Sequence, residues 1–350
     1  MRKILYVGWI GFDNLGDELM WHVFRDLAEK YLNTQTHQVI PSLPGVDLHD
    51  FRPYDTVVLG GGSLLVPGYV DVAHRAVQQK KRLVIWGSGY DSQLPVKFDA
   101  TGKLLTASFQ ESPKMQQMLR EIGEHAQYFG VRGPLTHEYL REMGVGGSLQ
   151  VSGDPGMLMT PPDGIVRGEE DPPMVGINWG TAYNRIYGKN EAVVEDALAQ
   201  VAKTLIQHGF GIYLYTMWGP DRGAIRRLYQ KIGAPERVTL DLELHDHNEM
   251  MRRLSRCQAT INFKLHANVL SAVAGVPFVC LAYRFKCLDF CYSLSLPEMA
   301  IPTDHPQLRQ QILTRAVRAM DEQSSLRDLF VSQRKEATDH VSEPFFHGDL

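Results

Sequence analysis

The chain has 350 residues, 44% of them hydrophobic and 22% charged, with a formal net charge of −4. This is globular composition, long enough for two domains of ordinary size, and the lack of a long Lys/Arg run argues against a nucleic-acid partner. No stretch approaches a membrane span, and the short apolar start Met1–Gly8 lacks the small-residue cleavage pattern of a secretory signal. A soluble, cytoplasmic protein is expected. Peripheral contact at the inner face of the plasma membrane and a homo-oligomer are left open.

Lys3–Val7 reads as a buried strand that runs into a loop with glycines at 8, 11 and 16, followed by a helix from about Asp17 to Tyr31. Those glycines allow tight turns and close approach of a ligand, in a spacing that is not a dinucleotide fingerprint. Asp17 is placed to cap the helix or to contact substrate; Asn14 serves the loop's own turn or bonds a sugar hydroxyl. Gly11 and Phe12 belong to the same candidate loop. Short strands follow at Gln38–Pro41 and Asp55–Leu59. The second ends in Gly60-Gly61-Gly62-Ser63, where successive glycines suggest close backbone approach to a ligand at the carboxyl end of a sheet. Helix Val70–Lys80, strand Arg82–Trp86 with Gly87-Ser88-Gly89, helix Pro113–Ile122 and strand Gln127–Val131 continue a doubly wound pattern. Arg132 at the next corner either faces a cleft or caps neighbouring carbonyls; Pro134 opens the helix after it.

Residues 161–173 are rich in Pro, Gly and charge without periodicity and read as a linker. It separates an N-terminal Rossmann-like lobe, 1–160, from a C-terminal one, 174–320, with a helix and mobile tail over 321–350. The second lobe repeats the rhythm: strand Met174–Trp179, helix Glu191–Gln207, strand Phe210–Tyr215, helix Gly223–Ile232, strand Val238–Leu240, helix Asn248–Leu254, strand Ala259–Asn262 and strand Pro277–Ala282. The fold class is therefore α/β, two-lobed, with an inter-lobe cleft.

Cations cluster where strands of the second lobe end. Lys264 and His266, with Asn268, stand where a strand turns into a helix, a natural anion-binding corner. Tyr283, Arg284 and Lys286 stand at the next. With Arg132 this inventory suits a small polyanion whose reaction needs a proton; the bland reading of His266 is a capping histidine. Cys257, Cys280, Cys287 and Cys291 match no zinc spacing and read as buried free thiols. Asp241, Glu243, Asp246, His245 and His247 do not read as a metal site, because alternate residues of an extended segment project to opposite faces. Arg252, Arg253 and Arg256 read as a solvated helix face.

In order and spacing, Gly8–Glu18, Leu59–Leu65, Val131-Arg132-Gly133, Gly153-Asp154-Pro155, Lys264-Leu265-His266-Ala267 and Ala282–Lys286 resemble the polysaccharide pyruvyl transferase family. The chain differs from that pattern at Lys264, where arginine is usual, at Gly133, where an acidic residue is common, and at Ile10, where an aromatic is common. The resemblance implies a GT-B-like fold, with phosphoenolpyruvate as donor and a nucleotide- or lipid-linked sugar as acceptor. The implied product is a pyruvate ketal in a polysaccharide precursor of the cell surface, as exopolysaccharide or cell wall. It maps the motif arginine, histidine and lysine onto Arg132, His266 and Lys286. Gly11, Phe12, Asn14, Asp17, Gly61, Gly62 and Ser63 would line the acceptor side, and Lys264, Asn268, Tyr283 and Arg284 the donor side. The chemistry needs no cofactor and no metal. The rival readings are a GT-B glycosyltransferase using a nucleotide sugar and a non-catalytic glycan-binding relative.

Overall fold

The computed structural model describes residues 1–93, 97–98, 104–105, 111–161, 163 and 172–350. The linker expected over 161–173 lies for the most part outside the described residues. Two compact units emerge: Met1–Asp13, Asp17–Leu158 and Lys335–Leu350 form the first, Asn14–Gly16 and Met159–Arg334 the second.

The first unit carries strands β1 (Arg2–Val7), β2 (His37–Pro41), β3 (Thr56–Leu59) and β4 (Arg82–Ser88), the short antiparallel pair β5 (Lys97–Phe98) and β6 (Leu104–Leu105), then β7 (Tyr128–Val131) and β8 (Leu149–Val151). Its sheet is parallel, in the order β2-β1-β3-β4-β7-β8. A parallel sheet covered on both faces demands apolar runs, and every residue of β3 and β7 is buried. Helices α1 (Leu15–Tyr31), α2 (Tyr69–Gln78), α3 (Pro113–His125) and α4 (Pro134–Glu142) make the crossovers. Ser112 caps α3, its side chain accepting from Met115 N–H, with Pro113 in the first turn.

The second unit holds β9 (Met174–Asn178), β10 (Gly211–Tyr215), β11 (Val238–Leu240), β12 (Cys257–Asn262), β13 (Phe278–Ala282) and β14 (Ala300–Pro302) in the order β11-β10-β9-β12-β13-β14, again all parallel. Its helices are α5 (Glu191–Gln207), α6 (Arg222–Ile232), α7 (His247–Leu254), α8 (Leu265–Val273), α9 (Phe285–Ser293) and α10 (Leu308–Asp321). Helix α6 shows why sequence and element agree. Ala224, Ile225, Leu228 and Ile232 recur at helical spacing and are buried, and Gly233, left-handed at φ 67°, ends it. The edge strand β14 was not expected from sequence; three residues are too few to show a period.

Helix α11 (Gln323–Phe346) begins in the second unit and ends in the first. The tail, expected to be mobile, is instead packed. Within that tail, residues 343–350, Phe345 and Leu350 are buried, and Phe345 lies 5.2 Å from Phe24 between ring centroids. Pro344 removes the N–H that would bond the His340 carbonyl; the Tyr128 hydroxyl donates to that carbonyl at 2.7 Å instead.

Candidate functional site

Ligands of doubly wound sheets bind beyond the carboxyl ends of the strands, where the strand order reverses. In the first unit that point lies between β1 and β3, which places both glycine loops there. The glycine run 60–62 proves to have an internal reason. A Cβ on Gly60 would lie 2.2 Å from Tyr6 Cζ, and one on Gly61 2.6 Å from Met20 Sδ. The expected close approach is thus made by the unit's own core. Gly60→Ala should destabilise by about 1–3 kcal/mol through overpacking. Gly146→Ala, with nothing within 4 Å of the new Cβ, is the control. Equal melting temperatures for the two variants would refute this packing account.

Helix α1 starts at Leu15, so Asp17 is not its cap, contrary to expectation, but lies in its first turn. Asn14 takes the capping place, its Oδ1 accepting from Gly16 N–H at 3.1 Å. Gly11 N–H donates to Glu18 Oε1 at 2.6 Å. Phe12 is 46% exposed and stacks on Trp9, with 4.4 Å between ring centroids. Asn14–Gly16 group with the second unit, where a Cβ on Gly16 would fall 1.8 Å from His266 Nδ1.

Arg132 follows β7 and is wholly buried. Its Nε lies 3.1 Å from Asp154 Oδ2, and its terminal nitrogens donate to Ser63 Oγ at 3.5 Å. Burial pushes the Asp154 carboxyl up, while Arg132 and the Gly156 N–H pull it down. The first unit therefore brings Ser63 and Arg132 together, with Asp154 as the guanidinium's counter-charge.

In the second unit the order reverses between β9 and β12. Both strands end in asparagine, Asn178 and Asn262, in register with each other. Asn178 Oδ1 accepts from Lys264 N–H at 2.9 Å and so fixes the corner. Asn262 lies in a buried network beneath it. Its Oδ1 accepts from the Tyr215 hydroxyl at 2.6 Å, and its Nδ2 donates to Thr260 Oγ1 and Ser271 Oγ. Helix α8 begins at Leu265, so Lys264 is its N-cap and His266 its second residue. The next corner has the same form: Arg284 is the N-cap of α9 and Lys286 its second residue. Phe263 and Tyr283, each preceding its cap, stack with centroids 4.4 Å apart. Lys286 Nζ lies 5.2 Å from the centre of the Tyr283 ring.

Helix N-termini carry partial positive charge and ordinarily attract Asp or Glu. Here two adjacent ones hold Lys264, His266, Arg284 and Lys286. Lys264 is held by several groups. Its Nζ donates to the Thr181 carbonyl at 2.7 Å, lies 3.1 Å from Asp221 Oδ1 and sits 4.8 Å from the Trp218 ring centre. Burial dominates both partners, pushing the Asp221 carboxyl up and the Lys264 ammonium down against their mutual attraction. Asn268 is fully buried, and its Nδ2 donates to the Lys264 carbonyl at 3.1 Å, a tie within the first turn of α8. Thr181, Asp221 and Asn178 were missed from sequence. The paired strand-terminal asparagines were the available signal; Asp221 carried none, because it reaches the corner from the start of α6.

Asp241, Glu243 and His245, expected to point apart, do meet: one ligand atom of each lies within 4.8 Å of the others. The segment after β11 is a loop, not extended strand, so the alternation argument fails. The Asp241 carboxylate is engaged already. It accepts from the Tyr213 hydroxyl at 2.7 Å and lies 2.8 Å from His245 Nε2 and 3.2 Å from Arg253 NH1. Burial pushes this carboxyl up, but the bonds from Tyr213 and His245 prevail and hold it below its usual range. The four cysteines are buried thiols outside any disulfide.

Two parallel six-stranded α/β units with polar corners at their carboxyl edges define a GT-B-like protein, the class expected. S. aureus MnaA, solved with UDP, matches with a TM-score of 0.65 at 12% identity, covering 100% of this chain and 98% of that one. A putative UDP-N-acetylglucosamine 2-epimerase from Listeria monocytogenes gives 0.60 at 12%, covering 97% and 94%. A UDP-glucosyltransferase from Polygonum tinctorium gives 0.57 at 12%, covering 99% and 97%. At such identity the likeness concerns the fold alone. The family described as polysaccharide pyruvyl transferase matches residues 14–284, and the chain belongs to it. Among the described residues no helix is long and apolar enough to cross a membrane.

Proposed function

We propose that the protein moves the pyruvyl group of phosphoenolpyruvate onto a hydroxyl pair of a sugar in a cell-surface polysaccharide precursor, forming a ketal and releasing phosphate. The family match across residues 14–284 carries this reading. The cations at the N-termini of α8 and α9 support it, because side-chain charge and helix end together offer an anion positive potential at both corners. Lys286 and Arg284 take the donor's phosphate and carboxylate, aided by the helix ends. Lys264 neutralises Asp221 and sets the corner. His266 gives its proton to the methylene carbon, and positive charge develops at the adjacent carbon. One sugar hydroxyl attacks that carbon and returns its proton to His266. The second hydroxyl then displaces phosphate, which leaves with that hydroxyl's proton. Arg132, sealed against Asp154 and Ser63, is assigned to holding the glycine loop in place.

The relatives above are named for UDP or UDP-sugars, which keeps a nucleotide-sugar glycosyltransferase as the second reading. Incubation with phosphoenolpyruvate and a panel of nucleotide- and lipid-linked sugars separates the two. Phosphate release with a product heavier by one pyruvyl ketal is expected, unaffected by EDTA. Release of a nucleotide, without consumption of phosphoenolpyruvate, would overturn the proposal.

A further inference from the structure

The segment between β9 and α5 holds one aromatic ring in solvent at a cost in backbone strain. Tyr183 and Asn184 are left-handed, at φ 55° and 57°, a conformation that bulky residues rarely adopt. Glu191 enforces it. Its Oε1 accepts from Ala182 N–H at 2.6 Å and Asn184 N–H at 3.0 Å, and its Oε2 from the Thr181 hydroxyl at 2.9 Å. Thr181 Oγ1 accepts from Tyr183 N–H at 2.9 Å, and Thr181 N–H donates to Asp221 Oδ1 at 3.0 Å. Yet the residue so firmly placed is 62% exposed, and its ring meets the Trp218 ring edge-on, at 88° with centroids 6.2 Å apart. A strained loop fixed from several sides in order to present one exposed ring points to use rather than to packing.

We infer that Tyr183, with Trp218 standing beside it, is the platform on which the acceptor's sugar ring stacks. This rests on the proposed transfer to a sugar and names the subsite that receives it. A pyranose offers an apolar C–H face to an aromatic ring and a rim of hydroxyls to polar neighbours; here the flanks are the exposed Asn184 and Arg185. The perpendicular Trp218 makes an open corner rather than a parallel slot, which suits a puckered ring better than a flat base. The ring lies beyond the carboxyl end of β9, at the reversal of strand order. Thr181 ties it to Lys264, the cap of the helix that carries His266.

The test is binding of the full chain to an array of oligosaccharides with hexose and N-acetylhexosamine termini, with UDP titrated separately. Wild type should bind at least one sugar, and Tyr183→Ala should weaken that binding about ten-fold. Tyr183→Phe, which keeps the aromatic face, should bind nearly as wild type. Tyr183→Gly relieves the left-handed backbone, so it should lose binding like the alanine variant while its melting temperature does not fall, a separation that a structural role alone would not give. No sugar binding by wild type, unchanged binding by Tyr183→Ala, or UDP affinity that falls in that variant would each overturn the inference. Phosphate release from phosphoenolpyruvate is read independently. Sugar binding that depends on Tyr183 but is never accompanied by phosphate release would sink the transfer reaction and leave the platform standing.

Discussion

His266→Ala is expected to lower turnover about 10²- to 10⁴-fold, the usual contribution of a positioned proton donor, while the Michaelis constant for phosphoenolpyruvate changes little. The split follows from the corners. In the proposed reaction the donor's charges fall to Lys286 and Arg284 on α9, whereas His266, on α8, would act only when the methylene carbon is protonated. Steady-state kinetics with the identified acceptor, and transfer of solvent deuterium into the product methyl group, are the measurements. A variant whose turnover stays within about ten-fold of wild type would remove His266 from the chemistry.

Arg132→Met is expected to destabilise the protein by about 3–5 kcal/mol, the cost of leaving a buried charge without its partner. Arg132 and Asp154 are both unexposed and 3.1 Å apart. Burial already holds the folded Asp154 carboxyl above its usual range; loss of Arg132 raises it further, with the unfolded value unchanged. A raised folded pKa gives stability that is present in acid and lost as pH rises through the folded value. The deficit of Arg132→Met should therefore be largest near neutral pH and shrink as pH falls through the raised folded values, above the ordinary carboxylate range. Adding Asp154→Asn keeps an acceptor for the Gly156 N–H, which bonds Asp154 Oδ1 at 2.8 Å, removes the stranded charge and should recover most of the loss. Chemical denaturation at neutral and acid pH checks both. If Arg132→Met instead keeps wild-type stability and abolishes phosphate release, Arg132 is a direct ligand of the donor, as the family resemblance implies.

The legible parts of this chain were those whose physics is local. Apolar runs such as those within Asp55–Leu59 and Pro277–Ala282 announce strands, found at Thr56–Leu59 and Phe278–Ala282. Helix α5 was bounded as observed, because its apolar spacing and the Asn190 cap, whose side chain accepts from Val193 N–H, agree. The two cationic corners were visible as well, since Lys264, His266, Arg284 and Lys286 directly follow strands. Less was visible of what surrounds them. The sequence offers Asp17 as the cap of α1 or a substrate contact; the capping place belongs to Asn14, three residues earlier. Asp241, Glu243 and His245 meet because the segment after β11 is a loop, where the alternation of extended chain does not hold.

The amino-acid order alone was enough for the doubly wound α/β class, the family and the positions of its cations, because hydrophobic period, turn chemistry and an ordered set of short motifs are properties of neighbouring residues. Tertiary structure alone decided what each of those residues touches. It filled the space over Gly60 and Gly61 with Tyr6 and Met20, paired Arg132 with Asp154, and placed Asp221 against Lys264 from 43 positions away in the chain (264 − 221). It also turned Tyr183 outward on a loop that Glu191 holds in strain. Burial and long-range pairing set these outcomes, and neither is a property that a residue shares with its neighbours in sequence.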